Sequence, residues 1–503
     1  MTLNDLLGGV RVTKLYSGMY GKMVLTQDIS VRNIRYDSRR VGPGDLFVAL
    51  RGTAENGHRF IDDAIAAGAS AVVVDDDASR PDTYFMHTGV LKVLVPDARA
   101  ALAALSANFY GRPADRLQIV GITGTNGKTT TSHLIRAILA ADGKPAGLIG
   151  TIDYRIADRV LPATHTTPES LELHELLAEM VRAGCVAAVM EVSSHALAMS
   201  RVAGIGFGAA VFTNLTQDHL DYHGSMEDYF RAKKKLFDSV SPGGVAVVNA
   251  DDPYGARMLE GTPGRKITYG FTPACDVRAT GIELRIDGSR CTVVHAGKEF
   301  GISSPLTGKF NIQNILASCA AGLGLGIAPA AIEAGILSVQ AVPGRFERIV
   351  APRAGWTAIV DYAHTPDALD NCLRTIRELL GPAGGRRIIT VFGCGGNRDR
   401  GKRPIMGRIA SAWSDITIVT SDNPRNEDPV SIIAEIVSGM PAGGETYTEV
   451  NRHEAIRAAL GKARRGDVVL VAGKGHETYQ VIGATRHHFD DREEVRSFIQ
   501  ENG

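Results

Sequence analysis

The sequence predicts an α/β protein of three domains: a small N-terminal α/β unit, a central unit with a mainly parallel sheet, and a C-terminal doubly wound unit. Three observations carry that expectation. The 503 residues exceed what one hydrophobic core usually supports. Short apolar runs alternate with helical stretches along most of the chain, as strands do when helices cover both faces of a sheet. The alternation then restarts after Pro343-Gly344-Arg345, which places domain bounds at residues 1–111, 112–345 and 346–503.

In the first segment, Asp45–Leu50 and Ala71–Val74 read as strands, separated by an Ala-rich helical stretch, Phe60–Ala67. The middle segment opens with the strand-like run Leu117–Ile122, a Gly-rich turn and the helical pattern Thr129–Leu139. Val186–Met190 and Gly244–Val248 are further buried strands. The uncharged stretch Ile315–Ile332 is long enough to raise the question of a membrane span, but it is mostly Ala and Gly and contains Pro329, so a buried helix is expected. In the last segment Thr357–Val360, Arg387–Phe392, Ile416–Val419 and Asp467–Ala472 are strands, each separated from the next by a candidate helix.

Composition excludes several classes of function. Hydrophobic residues make up 44% and charged residues 22%, ordinary for a globular fold. Lys plus Arg equals Asp plus Glu at 55 each, so no global charge favours nucleic acid or an anionic membrane. Six scattered cysteines without a CxxC pair argue for buried thiols in a reducing compartment, against a disulfide framework or zinc site. Met1–Asp5 lacks the basic and apolar blocks of a signal peptide, so a cytoplasmic location is expected.

The strongest local signal is Gly121-Ile122-Thr123-Gly124-Thr125-Asn126-Gly127-Lys128-Thr129-Thr130, with a strand leading in and a helix leading out. Glycines let backbone N–H groups approach phosphates, Lys128 neutralises β/γ-phosphate charge, and Thr129 places a hydroxyl on Mg²⁺. Ile122 stands where the strict phosphate-loop pattern needs Gly, so the loop is a variant, and a tight turn without nucleotide is its bland alternative. Glu191, just after a buried strand, sits where a Mg²⁺ ligand is expected, though it could merely cap a helix. Thr213–His223 crowds hydrogen-bonding and metal-competent side chains into one loop, which alone could be an ordinary capped loop.

In combination these residues resemble the Mur ligase family. The resemblance rests on Thr123–Thr129, Glu191-Val192-Ser193-Ser194-His195, Asp218–His223, Gly308-Lys309-Phe310-Asn311, Pro343–Glu347 and Asp361–Pro366, in the family's order over nearly the whole chain. It implies an N-terminal domain holding the uridine end of the substrate, a central P-loop ATPase-like domain and a C-terminal Rossmann-like domain bringing an amino acid. It also implies transfer of the ATP γ-phosphoryl to a carboxylate, giving an acyl phosphate that an amine attacks. The implied ATP contacts are Gly124, Thr125, Asn126, Gly127, Lys128, Thr129, Thr130, Asn311, Arg345, Asp361 and His364. Thr129, Glu191 and His219 become Mg²⁺ ligands, with Lys128, Lys233 and His219 in the catalytic set. Lys233 aligns with the lysine this family carbamylates, which would turn a repelled cation into a metal-binding anion; on residues alone, Lys233–Lys235 is a solvated basic face. Ser38, Thr166, Thr167, Ser193 and Arg201 match contacts to the UDP-muramoyl-dipeptide.

Asp422-Asn423-Pro424-Arg425 follows the strand Ile416–Val419 at the end where doubly wound sheets bind ligands. An Asn-Pro turn can be mere loop punctuation. Within the family it resembles the diaminopimelate-adding members, and Arg425 offers a fork for a carboxylate. The implied set is Arg398, Asp422, Asn423, Arg425, Gly473 and Glu477. The expected partners are UDP-muramoyl-dipeptide, meso-diaminopimelate and ATP, with no nucleic acid or membrane, and the expected state is a monomer. A lysine-adding ligase, folylpolyglutamate synthase and a P-loop kinase are the competing readings. Arg425 stands against the first; Arg425 and the long N-terminal region stand against the second.

Overall fold

The computed structural model describes residues 1–16, 26–52, 55–381 and 385–502. Its first sheet has five strands in the order Lys14–Tyr16, Leu91–Leu94, Ala71–Val74, Leu46–Val48 and Ile34–Arg35. Only the first pair is antiparallel. The all-apolar Ala71–Val74 is buried throughout because the sheet is covered on both faces. The expected helix at Phe60–Ala67 begins as a tighter 3₁₀ turn, Gly57–Phe60, and becomes α-helical over Ile61–Ala66.

The central sheet has eleven strands. Its core is parallel and runs Ala146–Ile149, Ala187–Glu191, Gln118–Thr123, Phe207–Phe212, Val240–Asn249, Arg265–Gly270 and Val277–Arg285. Both margins depart from the parallel pattern. Antiparallel strands Asp153–Ile156 and Arg159–Pro162 extend one side, and Gly288–His295 and Lys298–Ser304 the other. Alternation puts Val120, Ala209, Val211, Val245 and Val247 in one core and Ile119, Ala210, Phe212, Ala246 and Val248 in the other. Helices Lys128–Ala141, Lys309–Gly324 and Pro329–Ser338 pack on the first face, and Ser170–Arg182 and Met226–Asp238 on the second.

The uncharged stretch Ile315–Ile332 is buried but is not one helix. It breaks after Gly324 and resumes with Pro329 in the first turn, where proline's missing N–H costs nothing. Among the described residues no helix is long and apolar enough to cross a membrane.

The third sheet has the order Glu347–Val350, Thr357–Asp361, Val468–Ala472, Ile388–Phe392, Ile416–Thr420 and Glu445–Glu449, with only the first pair antiparallel. Val468–Ala472, Ile388–Phe392 and Ile416–Thr420 are buried at every residue. The six cysteines are free thiols in the interior, as their spacing led one to expect.

One buried group links this packing to pH. His174, on helix Ser170–Arg182, is buried beside Leu173 and Leu177, and neither ring nitrogen has a hydrogen-bond partner. Burial therefore pushes its pKa down to about 4. A folded-state pKa below the unfolded one means the native protein binds fewer protons, so this share of stability is lost as pH falls from about 6.5 toward 4. His174→Leu is expected to lose up to about 2 kcal/mol less than wild type between pH 7.5 and 5 in urea unfolding. Identical pH dependence in the two proteins would show that His174 does not titrate in this way.

Candidate functional site

The Gly-rich loop leaves strand Gln118–Thr123 and enters helix Lys128–Ala141, whose cap position is Gly127 at φ 86° with no side-chain cap. The first-turn N–H groups are thus left for an anion. Glycine is required for close approach as well as for φ. A Cβ on Gly124 would lie 1.9 Å from Thr213 Oγ1, and one on Gly127 2.4 Å from Asn314 Oδ1. The Thr213–Thr216 segment clamps the loop: Thr125 N donates to Asn214 O at 2.9 Å, Asn126 N to Asn214 Oδ1 at 2.9 Å, and Thr213 Oγ1 to Asn126 O at 2.6 Å. That half of the polar cluster builds the loop rather than facing a ligand.

Lys128 and Lys233 converge on one oxygen. Their Nζ atoms donate to Gly124 O at 2.9 and 2.8 Å, and Lys128 also reaches Thr125 O at 2.9 Å. Burial lowers the pKa of both, and for Lys233 it does so well below the ordinary lysine value, with the Lys128 charge adding to the effect. Lys233 is not the solvated basic face its sequence allows. It is buried on helix Met226–Asp238, with Nζ 4.4 Å from the centre of the Tyr229 ring.

Glu191 ends strand Ala187–Glu191 inside the site, so it is not a helix cap; the following helix is capped by Ser193. Its carboxylate accepts from Thr129 Oγ1 at 3.0 Å, Thr151 N at 2.9 Å and Thr151 Oγ1 at 3.0 Å. These hard oxygen donors suit Mg²⁺. His219 sits at φ 53°, and burial lowers its pKa, with the charges of Lys128 and Lys233 acting in the same direction. Its ring lies 4.8 Å from that of His195, whose pKa burial and the neighbouring His219 and His223 push to about 4. Among the described residues no three His, Cys, Asp or Glu side chains converge as a metal-binding set. A cation at Glu191 would therefore need the Thr129 hydroxyl, and a modified Lys233 would supply a further oxygen.

The positions expected to meet the muramoyl-dipeptide adjoin this carboxylate. Thr166 Oγ1 lies 3.1 Å from Thr151 Oγ1, and Thr167 Oγ1 donates to Glu191 O at 2.8 Å. Ser193 N donates to Thr167 Oγ1 at 3.1 Å, and Arg201 Nη1 to Thr167 O at 2.9 Å. Glu169 pairs with both Arg201 at 3.3 Å and Arg99 at 3.0 Å, tying the N-terminal sheet's covering helix to this group. Half-buried Ser38 begins a 3₁₀ turn, Ser38–Arg40, capped by Asp37, with Arg39 and Arg40 exposed. The preceding Tyr36 donates to Glu172 Oε1 at 2.8 Å.

Just ahead of the third sheet in the chain, Arg345 Nη2 donates to Thr129 Oγ1 at 3.2 Å while its guanidinium stacks 4.7 Å from the Tyr362 ring centre. Asn126 Nδ2 donates to Asp367 Oδ2 at 3.2 Å. Phe346 N donates to Asp361 Oδ2 at 2.6 Å, and burial raises the Asp361 pKa. His364 Nδ1 faces Tyr362 O at 2.8 Å; its pKa is lowered to about 4 by burial. Thr130 is buried in the first turn of the loop helix. Asn311 is also buried, but both ends of its amide already serve Thr307 O and Asn314 Nδ2.

The expected amino-acid pocket gathers at the carboxyl ends of Ile416–Thr420 and Val468–Ala472. Asn423 Nδ2 donates to Glu477 Oε2 at 2.9 Å, and a Cβ on Gly473 would lie 2.7 Å from Asp422 Oδ2. Arg425 has φ 52°; its N donates to Val481 O at 3.0 Å and its O accepts from Gly483 N at 2.8 Å, so the hairpin Tyr479–His488 sets its direction. Arg425 Nη1 donates to Gly396 O at 2.8 Å, beside Arg398, which donates to Asn397 O at 3.2 Å.

Thr151 and Lys474 were not singled out from sequence. Thr151 follows strand Ala146–Ile149 in the parallel core, and that placement at a strand's carboxyl end was the available signal.

Comparison with known proteins agrees along the chain. Family models described as Mur ligase family catalytic domain, Mur ligase middle domain and Mur ligase glutamate ligase domain match residues 30–110, 122–322 and 344–475. The chain is 48% identical over 496 residues to a UDP-N-acetylmuramoyl-L-alanyl-D-glutamate–2,6-diaminopimelate ligase of Geobacter metallireducens, covering 94% of this chain and 95% of the relative. The enzyme of that name from Solibacter usitatus is 45% identical, with 100% and 99% covered. A solved structure of such a ligase superimposes with TM-score 0.70 at 32% identity over 100% of this chain and 99% of its own. The chain belongs to the Mur ligase family.

Proposed function

We propose that the chain is an ATP-dependent, ADP-forming ligase that adds meso-diaminopimelate to UDP-N-acetylmuramoyl-L-alanyl-D-glutamate in peptidoglycan precursor synthesis. The observation that carries this reading is the contact of Asn126 Nδ2 with Asp367 Oδ2 at 3.2 Å, which joins the nucleotide loop to the segment bearing the amino-acid pocket. The names of the relatives at 45–48% identity support it. Residues 1–111 then hold the uridine end, 112–345 the ATP, and 346–503 the amino acid. The chain works as a cytoplasmic monomer on small molecules.

The chemistry follows from a poor electrophile. A carboxylate resists attack by an amine, so its oxygen first attacks the γ-phosphorus of ATP, releasing ADP; the amine nitrogen then attacks the acyl carbon and phosphate leaves. Lys128 sits at the uncapped helix start, where phosphate would restore its charged form. Thr129, Glu191, His219 and a carbamylated Lys233 are the residues that would hold Mg²⁺, which supplies neutralisation of phosphate charge. Neutral Lys233 amine is the form that combines with CO₂, giving a carbamate anion and a proton, and burial favours that form.

ADP release should require the nucleotide substrate and diaminopimelate together; release without the amino acid would indicate a kinase instead. Lys128→Ala should lower it by roughly a hundredfold or more with an unchanged thermal midpoint, because a phosphate-facing charge is lost. Near-wild-type turnover would remove Lys128 from the site. Lys233→Ala should lose activity and regain part of it when short carboxylic acids are added to the buffer. No recovery with any of several acids counts against the carbamate.

Arg425 should distinguish diaminopimelate from L-lysine, which lacks the far carboxylate. Arg425→Ala strands that carboxylate at roughly 2–5 kcal/mol, or about thirty- to several-thousand-fold in kcat/KM for diaminopimelate. Activity with L-lysine should fall far less. Equal losses for the two amino acids would assign Arg425 to the fold or to a shared step.

A further inference from the structure

The expected amino-acid pocket contains a side chain to which the proposed chemistry gives no task. Lys474 is fully buried, and a buried ammonium is costly unless it is paired. Its Nζ donates to Glu477 Oε2 and Asn423 Oδ1, both at 3.2 Å, and lies 3.9 Å from Asp422 Oδ1. Asn423 Oδ1 also accepts from Val481 N at 2.9 Å. Both groups facing that oxygen are donors, so the amide can present only its Nδ2 to Glu477, as the 2.9 Å contact requires.

Arg452 and Asp491, both fully buried and 2.7 Å apart, cancel one another beneath the strand ends. Lys474 is left to face two carboxylates, Glu477 at 3.2 Å and Asp422 at 3.9 Å, with its Nζ 5.6 Å from the centre of the Tyr479 ring.

We propose that Lys474 is a positioning residue for amino-acid selection: it locks Asn423 and Glu477 into the one geometry that presents the Glu477 carboxylate to a substrate ammonium. Lys474 does not touch the amino acid. This inference rests on the reading that the chain takes diaminopimelate in this pocket. Without Lys474 the Asp422 and Glu477 carboxylates lose the ammonium that both face, and Asn423 loses one of the two donors that fix its amide.

The test is steady-state kinetics of the full chain with Lys474→Gln, which keeps the length and a hydrogen-bond donor, and with Lys474→Met. The KM for diaminopimelate should rise roughly thirtyfold or more, as for losing one partner of a buried charge pair, while the KM values for ATP and the nucleotide substrate stay near wild type. Maximal turnover should fall by much less than KM rises. Combining Lys474→Gln with Glu477→Gln should be no worse than Glu477→Gln alone, because Lys474 acts through that carboxylate. An unchanged KM for diaminopimelate, additive losses, or parallel losses for all three substrates would overturn the proposal. So would failure of both single variants to fold, which would make Lys474 a requirement of the fold. Wild type measured in parallel separates the two ideas: no turnover of diaminopimelate there overturns the functional reading itself.

Discussion

Two buried lysines share one carbonyl oxygen, that of Gly124, and the surrounding structure is arranged around that crowding of positive charge. Two ammonium groups cannot remain charged on one neutral acceptor away from water, which is why burial and mutual repulsion depress Lys233 so strongly. In the proposed reaction, phosphate at Lys128 and a carbamate at Lys233 would supply the compensating negative charge. Glu191, held by Thr129 and Thr151, is the carboxylate already in place beside them. The loop's backbone is held in place by its own neighbours, Thr213 and Asn214.

The parallel sheets place this chemistry. Strands that run the same way end on the same edge, so Thr123, Glu191 and Phe212 deliver the loop, the carboxylate and the Thr213–Thr216 clamp to one place. The third sheet repeats the device for Asp361, Ala472 and Thr420. Buried ion pairs hold its loops. Arg403 joins Glu427 at 2.9 Å to Glu435 at 2.8 Å, and Arg452 donates to Ala472 O at 3.0 Å while paired with Asp491. Of these, Arg452–Asp491 is buried at both ends, and removing one partner of such a pair typically costs about 3–5 kcal/mol.

Much of this could be read from residues alone. The all-apolar runs at Ala71–Val74, Ile416–Thr420 and Val468–Ala472 have the composition of strands covered on both faces, and they are such strands. The antiparallel margins were less legible: Arg159–Pro162 has only four residues and is mostly exposed, and Lys298–Ser304 mixes Lys, Glu and Ser with Phe and Ile, because an edge strand buries only one face. Pro329 argued against a membrane span, yet the division into two helices comes at Gly326, whose φ of 78° cannot continue the first helix.

The chain's order of motifs determined by itself the family resemblance, the three-segment layout expected from it and the residue types a phosphate-and-carboxylate chemistry needs. Tertiary structure alone decided which members of each motif face a ligand and which serve the scaffold. Thr213 and Asn214 brace the loop, Asn311 bonds within its own neighbourhood, and Lys474 turns inward on Glu477. The physical reason is distance along the chain. Asn423 and Glu477, or Thr129 and Arg345, meet only after separate strands have ended on one edge, and no local pattern encodes what a side chain donates to across 54 or 216 residues.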